Sequence, residues 1–373
     1  MIYADHCATT PCLPEAAAAV LAALSAGLGN PAARHHAPGR QAAGLVDEGR
    51  QAVAELLQVR ADEIIFTSGA TEAANVAILG IAARLLATRP RCCALAVEHP
   101  AVLATLDRLT PHGADIIRLP VTREGRVDLA FAQAAINAQT AVVCVMLVNN
   151  ETGMLHEVRA LADLAHAHGA LLLCDATQGP ARMAVDFSTL GADLGFISSH
   201  KVYGPPGVGA LWLRRGLALE PIFAGGGQER GLRPGTLNVP GIAGFGVAAR
   251  IARLRHTQRT AQLLALTTLF EQRLYHALPG LVIHGAQRAP GISMLTLPGL
   301  RHGWLTQLAE VAASAGSACS SGTGEPSHVL TALGVANNDA RNSIRISFGE
   351  PTTTDEVLRI AEALIRAAHR LRL

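Results

Sequence analysis

The stretch AVVCVMLVNNETGMLHEVRALADLAHAHGALLLCD, residues 141–175, decides the fold. It opens on one short apolar run, AVVCVMLV, and closes on another, ALLLCD. Between them Val158, Leu161, Ala162 and Ala165 recur at the spacing of a helix face. Two buried strands joined through a helix form a βαβ unit, whose strands run parallel. Working outward, IIFTSG (from Ile64), CALAVE (from Cys93), ADIIRL (from Ala114) and DLGFIS (from Asp193) read as further buried strands, and TEAANVAILGIAARLLA (from Thr71) as a helix. The fold class is α/β, a mostly parallel sheet covered by helices.

From about Ile242 a long helical stretch begins, and beyond it the pattern changes to the strands LVIHG, ISMLTL and NSIRISF with a closing helix. Thr353 with Glu356 three residues on is a capping-box signature, and that helix buries Val357, Ile360, Leu364 and Leu371. The expected division is a large domain over 13–250 and a smaller α+β domain made of 1–12 and 251–373.

The chain has 373 residues, half of them hydrophobic and 16% charged, enough for a large core. Lys plus Arg number 31 against 29 Asp plus Glu, so no basic field points to direct contact with nucleic acid or an anionic membrane. Seven cysteines without a CxxC pair form neither a disulfide framework nor a zinc site, and no metal is expected. The start, MIYADHCATT, lacks the features of a secretory signal, and the early apolar run Ala16–Leu28 is shorter than the roughly 20 residues a membrane span needs. The expected location is the cytoplasm.

In open α/β sheets ligands sit outside the carboxyl ends of the strands. Those ends read SGATE, EHP, NNETG, DATQ and SSHK. Within SSHK lies Lys201, the single lysine of the chain; every other cation of the 31 is Arg. Nucleophilic attack by a deprotonated amine is the one task that excludes guanidinium, so Lys201 is read as an imine-forming lysine. An imine lysine implies a carbonyl cofactor or substrate. Pyridoxal 5'-phosphate would further need a carboxylate for its ring nitrogen, donors for its phenolic oxygen and a phosphate cup. Asp175 meets the first need, Asn150 and Gln178 the second. Gly69, Ala70 and Thr71, opening a helix, with Ser198 and His200 beside the lysine, meet the third. A second reactive group is Cys319, in SAGSACSSGTGEPSH, a run of small residues with little side-chain surface to anchor it. Cys144 and Cys174, inside apolar strands, read instead as small hydrophobes.

These residues lie in ATTP, GNPAARHH, FTSGATEAAN, VEHPAVL, VNNETG, DATQ, SSHKVYGPPGVGAL, GGGQERGLRPGTLNV, GSACSSG, EPSHVLTALG and SIRISFG. With them the chain resembles, nearly end to end, the cysteine desulfurases of the NifS/IscS type, fold-type I pyridoxal phosphate enzymes of the class V aminotransferase family. The resemblance implies a large domain with a mostly parallel seven-stranded sheet. It implies that Lys201 holds the cofactor, Asp175 pairs with its ring nitrogen, and His99 stacks on the ring and shuttles protons. Ala70, Thr71, Ser198 and His200 would bind phosphate, Asn150 and Gln178 would contact the phenolic oxygen, and Thr236 would reach the phosphate of a neighbouring subunit in a homodimer. Arg345, with Asn150, would take the carboxylate of L-cysteine, and Cys319 would accept its sulfur, helped by His99 as a nearby base. The implied products are L-alanine and a Cys319 persulfide, which would be handed to a sulfur-acceptor protein for iron–sulfur cluster assembly or another thiolation pathway. In ADHCATT, Cys7 departs from the usual pattern and reads as a packing variant. Two other readings stay open at this point: the same groups would serve a selenol, and a transaminase of this fold would need no reactive cysteine.

Overall fold

The computed structural model describes residues 1–300, 307–315 and 325–372. Among these, the strands in chain order are β1 Ile2–Tyr3, β2 Ile64–Thr67, β3 Arg91–Leu95, β4 Asp115–Leu119, β5 Thr140–Met146, β6 Leu171–Asp175, β7 Leu194–Ser198, β8 Gly209–Leu213, β9 Val282–Ile283, β10 Ile292–Thr296, β11 Val311–Ala312, β12 Ser314–Ala315 and β13 Ile344–Ser347. The α-helices are α1 Pro14–Ser25, α2 Ala37–Leu57, α3 Ala70–Leu85, α4 Pro100–Asp107, α5 Leu129–Ala135, α6 Val158–Ala167, α7 Phe187–Leu190, α8 Val239–Ala277, α9 His328–Ala332, α10 Asn337–Arg341 and α11 Thr354–Arg372.

Seven strands form the large sheet in the order β2-β8-β7-β6-β5-β3-β4. The expected βαβ unit is present as β5, α6 and β6, with Val143 opposite Leu172 in parallel register. Only β8 runs against its neighbours, pairing antiparallel with both β7 and β2. Side chains alternate cleanly across the sheet. Val142 and Cys144 of β5 join the core under α3 and α4, whereas Val143 and Val145 join the core under α2, α6 and α8. A third core gathers around the four-stranded sheet β12-β13-β10-β9 and takes in Ile2 and Ala4, the later part of α8, and α11.

Helix ends follow local chemistry. α11 carries the expected capping box: the Thr353 N–H donates to Glu356 Oε2 at 2.9 Å and the Glu356 N–H to Thr353 Oγ1 at 3.2 Å. Val357, Ile360 and Leu364 are buried, and Leu371 packs partly buried against them. α8 begins at Val239, three residues before the apolar period suggests, because Asn238 caps it, accepting from the Gly241 N–H at 3.1 Å.

Because β2, β3, β5, β6 and β7 are mutually parallel, their carboxyl ends open on one edge. Register sets Met146, Asp175 and Phe196 level with one another across three neighbouring strands. The return strand β8 passes so close to the turn before α3 that a Cβ on Gly209 would lie 2.6 Å from Gly69 Cα. Only glycine fits there, and the contact draws Ser198 and the start of α3 together.

Candidate active site

At this edge lies a cavity of about 650 Å3. It is lined by Ala70, Thr71, His99, Asn150, Asp175, Gln178, Ser198, His200, Lys201 and Arg345, which the sequence distributes over five strand ends and β13. Thr236 lies elsewhere, exposed beside a separate cleft with Asn30, Asp47 and Gln228. Cys319 lies outside the described residues.

Lys201 ends the tight turn that follows β7. Two residues on, Tyr203 holds a left-handed backbone (φ 66°) and is locked by its N–H to Thr10 Oγ1 at 2.8 Å and by its hydroxyl, which accepts from the Glu350 N–H at 2.7 Å. The turn is therefore rigid where the lysine needs aim. Lys201 Nζ donates to the Cys7 carbonyl and to the Ala8 carbonyl at 2.6 Å, and Gln178 Nε2 donates to the same Cys7 carbonyl at 2.9 Å. Cys7 is buried as a packing residue would be, its Sγ 3.2 Å from Arg182 Nη2, yet its backbone carbonyl meets the Lys201 amine.

Asp175 closes β6. The Thr177 N–H donates to its Oδ1 at 2.9 Å. Burial pushes its pKa up, while this hydrogen bond and the charges of His99 and Lys201 pull it back. A positive partner in the cavity would stabilise the ionised form. His99 caps α4, its Nδ1 accepting from the Ala101 N–H at 3.1 Å. Burial lowers its pKa, Lys201 and His328 lower it further, and Asp175 opposes them. With Nδ1 occupied, the neutral ring carries its proton on Nε2. His99 thus presents a donor, and the lone pair a base needs is turned to the backbone.

Also at the cavity, α3 starts without a side-chain cap, beside a lining that includes Thr71, Ser198 and His200, where its free first-turn N–H groups would favour an anion. His200 is held to a pKa of about 4 by burial and by Lys201, so it enters this region neutral, with Nδ1 3.1 Å from Thr9 Oγ1.

Arg345 on β13 is 3% exposed. Nη1 donates to the Asn150 carbonyl at 2.8 Å, and Nη2 to Asp5 Oδ1 at 2.7 Å and Ser314 Oγ at 3.2 Å. Its Nε has no partner among the described residues. Asn149, beside Asn150, shapes the turn: its Oδ1 accepts the N–H groups of Glu151 and Thr152 at 3.0 and 2.9 Å.

The donor set fits pyridoxal phosphate. One cavity holds an amine, a buried carboxylate that a cation would stabilise, amide donors, and an uncapped helix start among hydroxyls. Among the described residues no group of three or more His, Cys, Asp or Glu is placed to hold a metal. Sequence reading missed the carbonyls of Cys7 and Ala8, the Asp5 partner of Arg345, and the buried carboxyls Glu98 and Glu151. Backbone acceptors leave no mark in a sequence, and Asp5 stands 340 residues from Arg345.

The aminotransferase class-V family model matches residues 2–360. A cysteine desulfurase of Frankia sp. (strain EuIK1) is 42% identical over 391 aligned residues, covering all of this chain and 92% of that protein. A solved NifS-like protein has a TM-score of 0.91 at 29% identity, covering 99% of this chain and 100% of that one. SspA, solved in complex with cysteine, has a TM-score of 0.84 at 29% identity, covering 95% of this chain and 100% of that one. The chain belongs to the cysteine desulfurases of the NifS/IscS type, within the aminotransferase class-V family.

Proposed function

We propose that the cavity holds pyridoxal 5'-phosphate and removes sulfur from L-cysteine, leaving L-alanine and a persulfide on Cys319. The observation that carries this reading is the convergence of Lys201 Nζ, the buried Asp175 carboxylate and the uncapped start of α3 on one cavity. Lys201 would hold the cofactor through its amine, Asp175 would pair with its ring nitrogen, Asn150 and Gln178 would contact its phenolic oxygen, and Ala70, Thr71, Ser198 and His200 would hold its phosphate. When bound, the group supplies an electron sink conjugated to the substrate's α-carbon.

The chain's own groups do the rest. Arg345 takes the substrate carboxylate, with its position fixed by Asp5 and the Asn150 carbonyl. Lys201 Nζ, held by the Cys7 and Ala8 carbonyls, would move the α-proton. His99 covers the cavity wall and holds a proton at Nε2; to pass it on, Nδ1 takes up another and gives up the Ala101 N–H. Proton transfer by His99 is thus coupled to the first turn of α4. Residues 13–250 form the cofactor domain, and 1–12 with 251–373 the second domain, which contributes Asp5 and Arg345. Thr236, outside its own cavity, serves a second copy of the chain in a homodimer, and a separate protein takes the sulfur. Among the described residues no helix is long and apolar enough to cross a membrane, and the enzyme works in the cytoplasm.

Alanine release from L-cysteine, with a reductant present, tests the reading. Cofactor-loaded wild type should make alanine and sulfide in matching amounts and Cys319→Ser neither; equal alanine from both would exclude Cys319 as the nucleophile.

A further inference from the structure

The turn that carries His99 is fastened from two sides, and only one of them belongs to the large sheet. On the sheet side, the Glu98 side chain is fully buried and its Oε1 accepts the Met146 N–H at 2.5 Å. On the other, His328 Nε2 lies 2.9 Å from the Glu98 carbonyl oxygen. A carbonyl can only accept, so Nε2 carries the proton. His328 is itself placed by Ser327, whose hydroxyl donates to Glu151 Oε2 and accepts the Leu330 N–H at 3.1 Å. Glu151 belongs to the turn that Asn149 holds rigid. The start of α9 is thus bonded to both strand-end turns, the one presenting His99 and the one presenting Asn150.

We propose that His328 is a positioning residue for His99, acting through the hydrogen bond it donates to the Glu98 carbonyl. The inference rests on the reading of His99 as the proton carrier of the cavity. The His99 ring is aimed by the backbone at 98–99, and its Nδ1 is already tied to the Ala101 N–H. His328 is the side chain that pins the carbonyl immediately before it. The contact also sets charge. Asp175, Lys201 and His328 face His99, and Glu151, His99 and the Glu98 carbonyl face His328. A positive charge on His328 would disfavour one on His99, whose neutral form keeps its bond to the Ala101 N–H.

Two substitutions separate the hydrogen bond from the charge. His328→Leu removes the donor and any charge; His328→Gln keeps a donor that can reach Glu98 and cannot take up a charge. In the cofactor-loaded enzyme, Leu should lower kcat about tenfold with KM for L-cysteine within about threefold, and Gln should restore kcat to within about threefold of wild type. In both, the His99 titration midpoint, followed by NMR of labelled imidazole, should rise, and the acid limb of kcat should move to higher pH with it. A Leu variant with wild-type kcat and an unmoved His99 midpoint overturns the assignment, as does a Gln variant that falls as far as Leu. Wild-type protein that yields no alanine from L-cysteine refutes the desulfurase reading instead; the positions of the His99 ring signals, expected to move in Leu and to stay near wild type in Gln, then decide whether the hydrogen bond places the ring.

Discussion

Replacing Asp175 by Asn tests the site where its electrostatics are sharpest. The substitution keeps the shape of the side chain and removes its charge. Asp175 is buried at the end of β6, where a ring nitrogen paired with it would be largely shielded from water. A hydrogen bond to a charged group contributes about 1.5–3 kcal/mol. If that contribution is made where electrons are withdrawn from the substrate, kcat falls by about 10- to 150-fold. KM should change by no more than about threefold, because Arg345 is held by Asp5 and Asn150 rather than by Asp175. The cofactor-free protein should behave in the opposite sense. Burial raises the folded-state pKa of Asp175 above its unfolded value. The resulting stability is therefore present below the unfolded value of about 3.9 and lost as pH rises through the folded one. The Asn variant has no such loss, so without cofactor its stability relative to wild type should improve as pH rises from about 4. Alanine release at saturating L-cysteine measures the first effect, and thermal unfolding of the cofactor-free proteins at pH 5 and pH 8 the second. An unchanged kcat, or a relative stability that declines with pH, would refute the reasoning.

Other expectations follow from the same geometry. Lys201→Ala should abolish the visible absorbance of lysine-bound cofactor and with it alanine release; retention of that band would show that another group holds the cofactor. His99→Ala should lower kcat by about a hundredfold or more. Because burial lowers the pKa of His99, the wild-type acid limb should lie below the usual histidine value of about 6.5 and should be absent from the variant. Thr353→Ala should remove the capping box of α11 at a cost of about 1 kcal/mol, lowering Tm by about 2 °C without altering kcat.

The parts of this account legible in the sequence share a physical reason. The strands of the large sheet are short apolar runs closed by turn residues, and burial on both faces makes them so. Lys201 stood out because Arg fills every other cationic position, and it lines the cavity. Asp175, Asn150 and Gln178 were legible because parallel strands bring their carboxyl ends to one edge. What could not be read is non-local. Nothing in GALWL says that β8 inserts antiparallel between β2 and β7. Nothing in ADHCATT says that its carbonyls meet Lys201 Nζ, about 190 residues away. EPSHVL was visible as a motif, but its bonds to Glu151 and to the Glu98 carbonyl depend on how α9 docks. The start of α8 was legible and missed: Asn238 followed by Pro240 is a helix-start signal.

The most direct test of the central claim is a single turnover of cofactor-loaded enzyme with L-cysteine and no reductant, followed by mass spectrometry of the cysteine-containing peptides. The account predicts one alanine per subunit and one added sulfur atom on Cys319. Alanine formed with Cys319 unmodified, or with the sulfur on another cysteine such as Cys7, would contradict it.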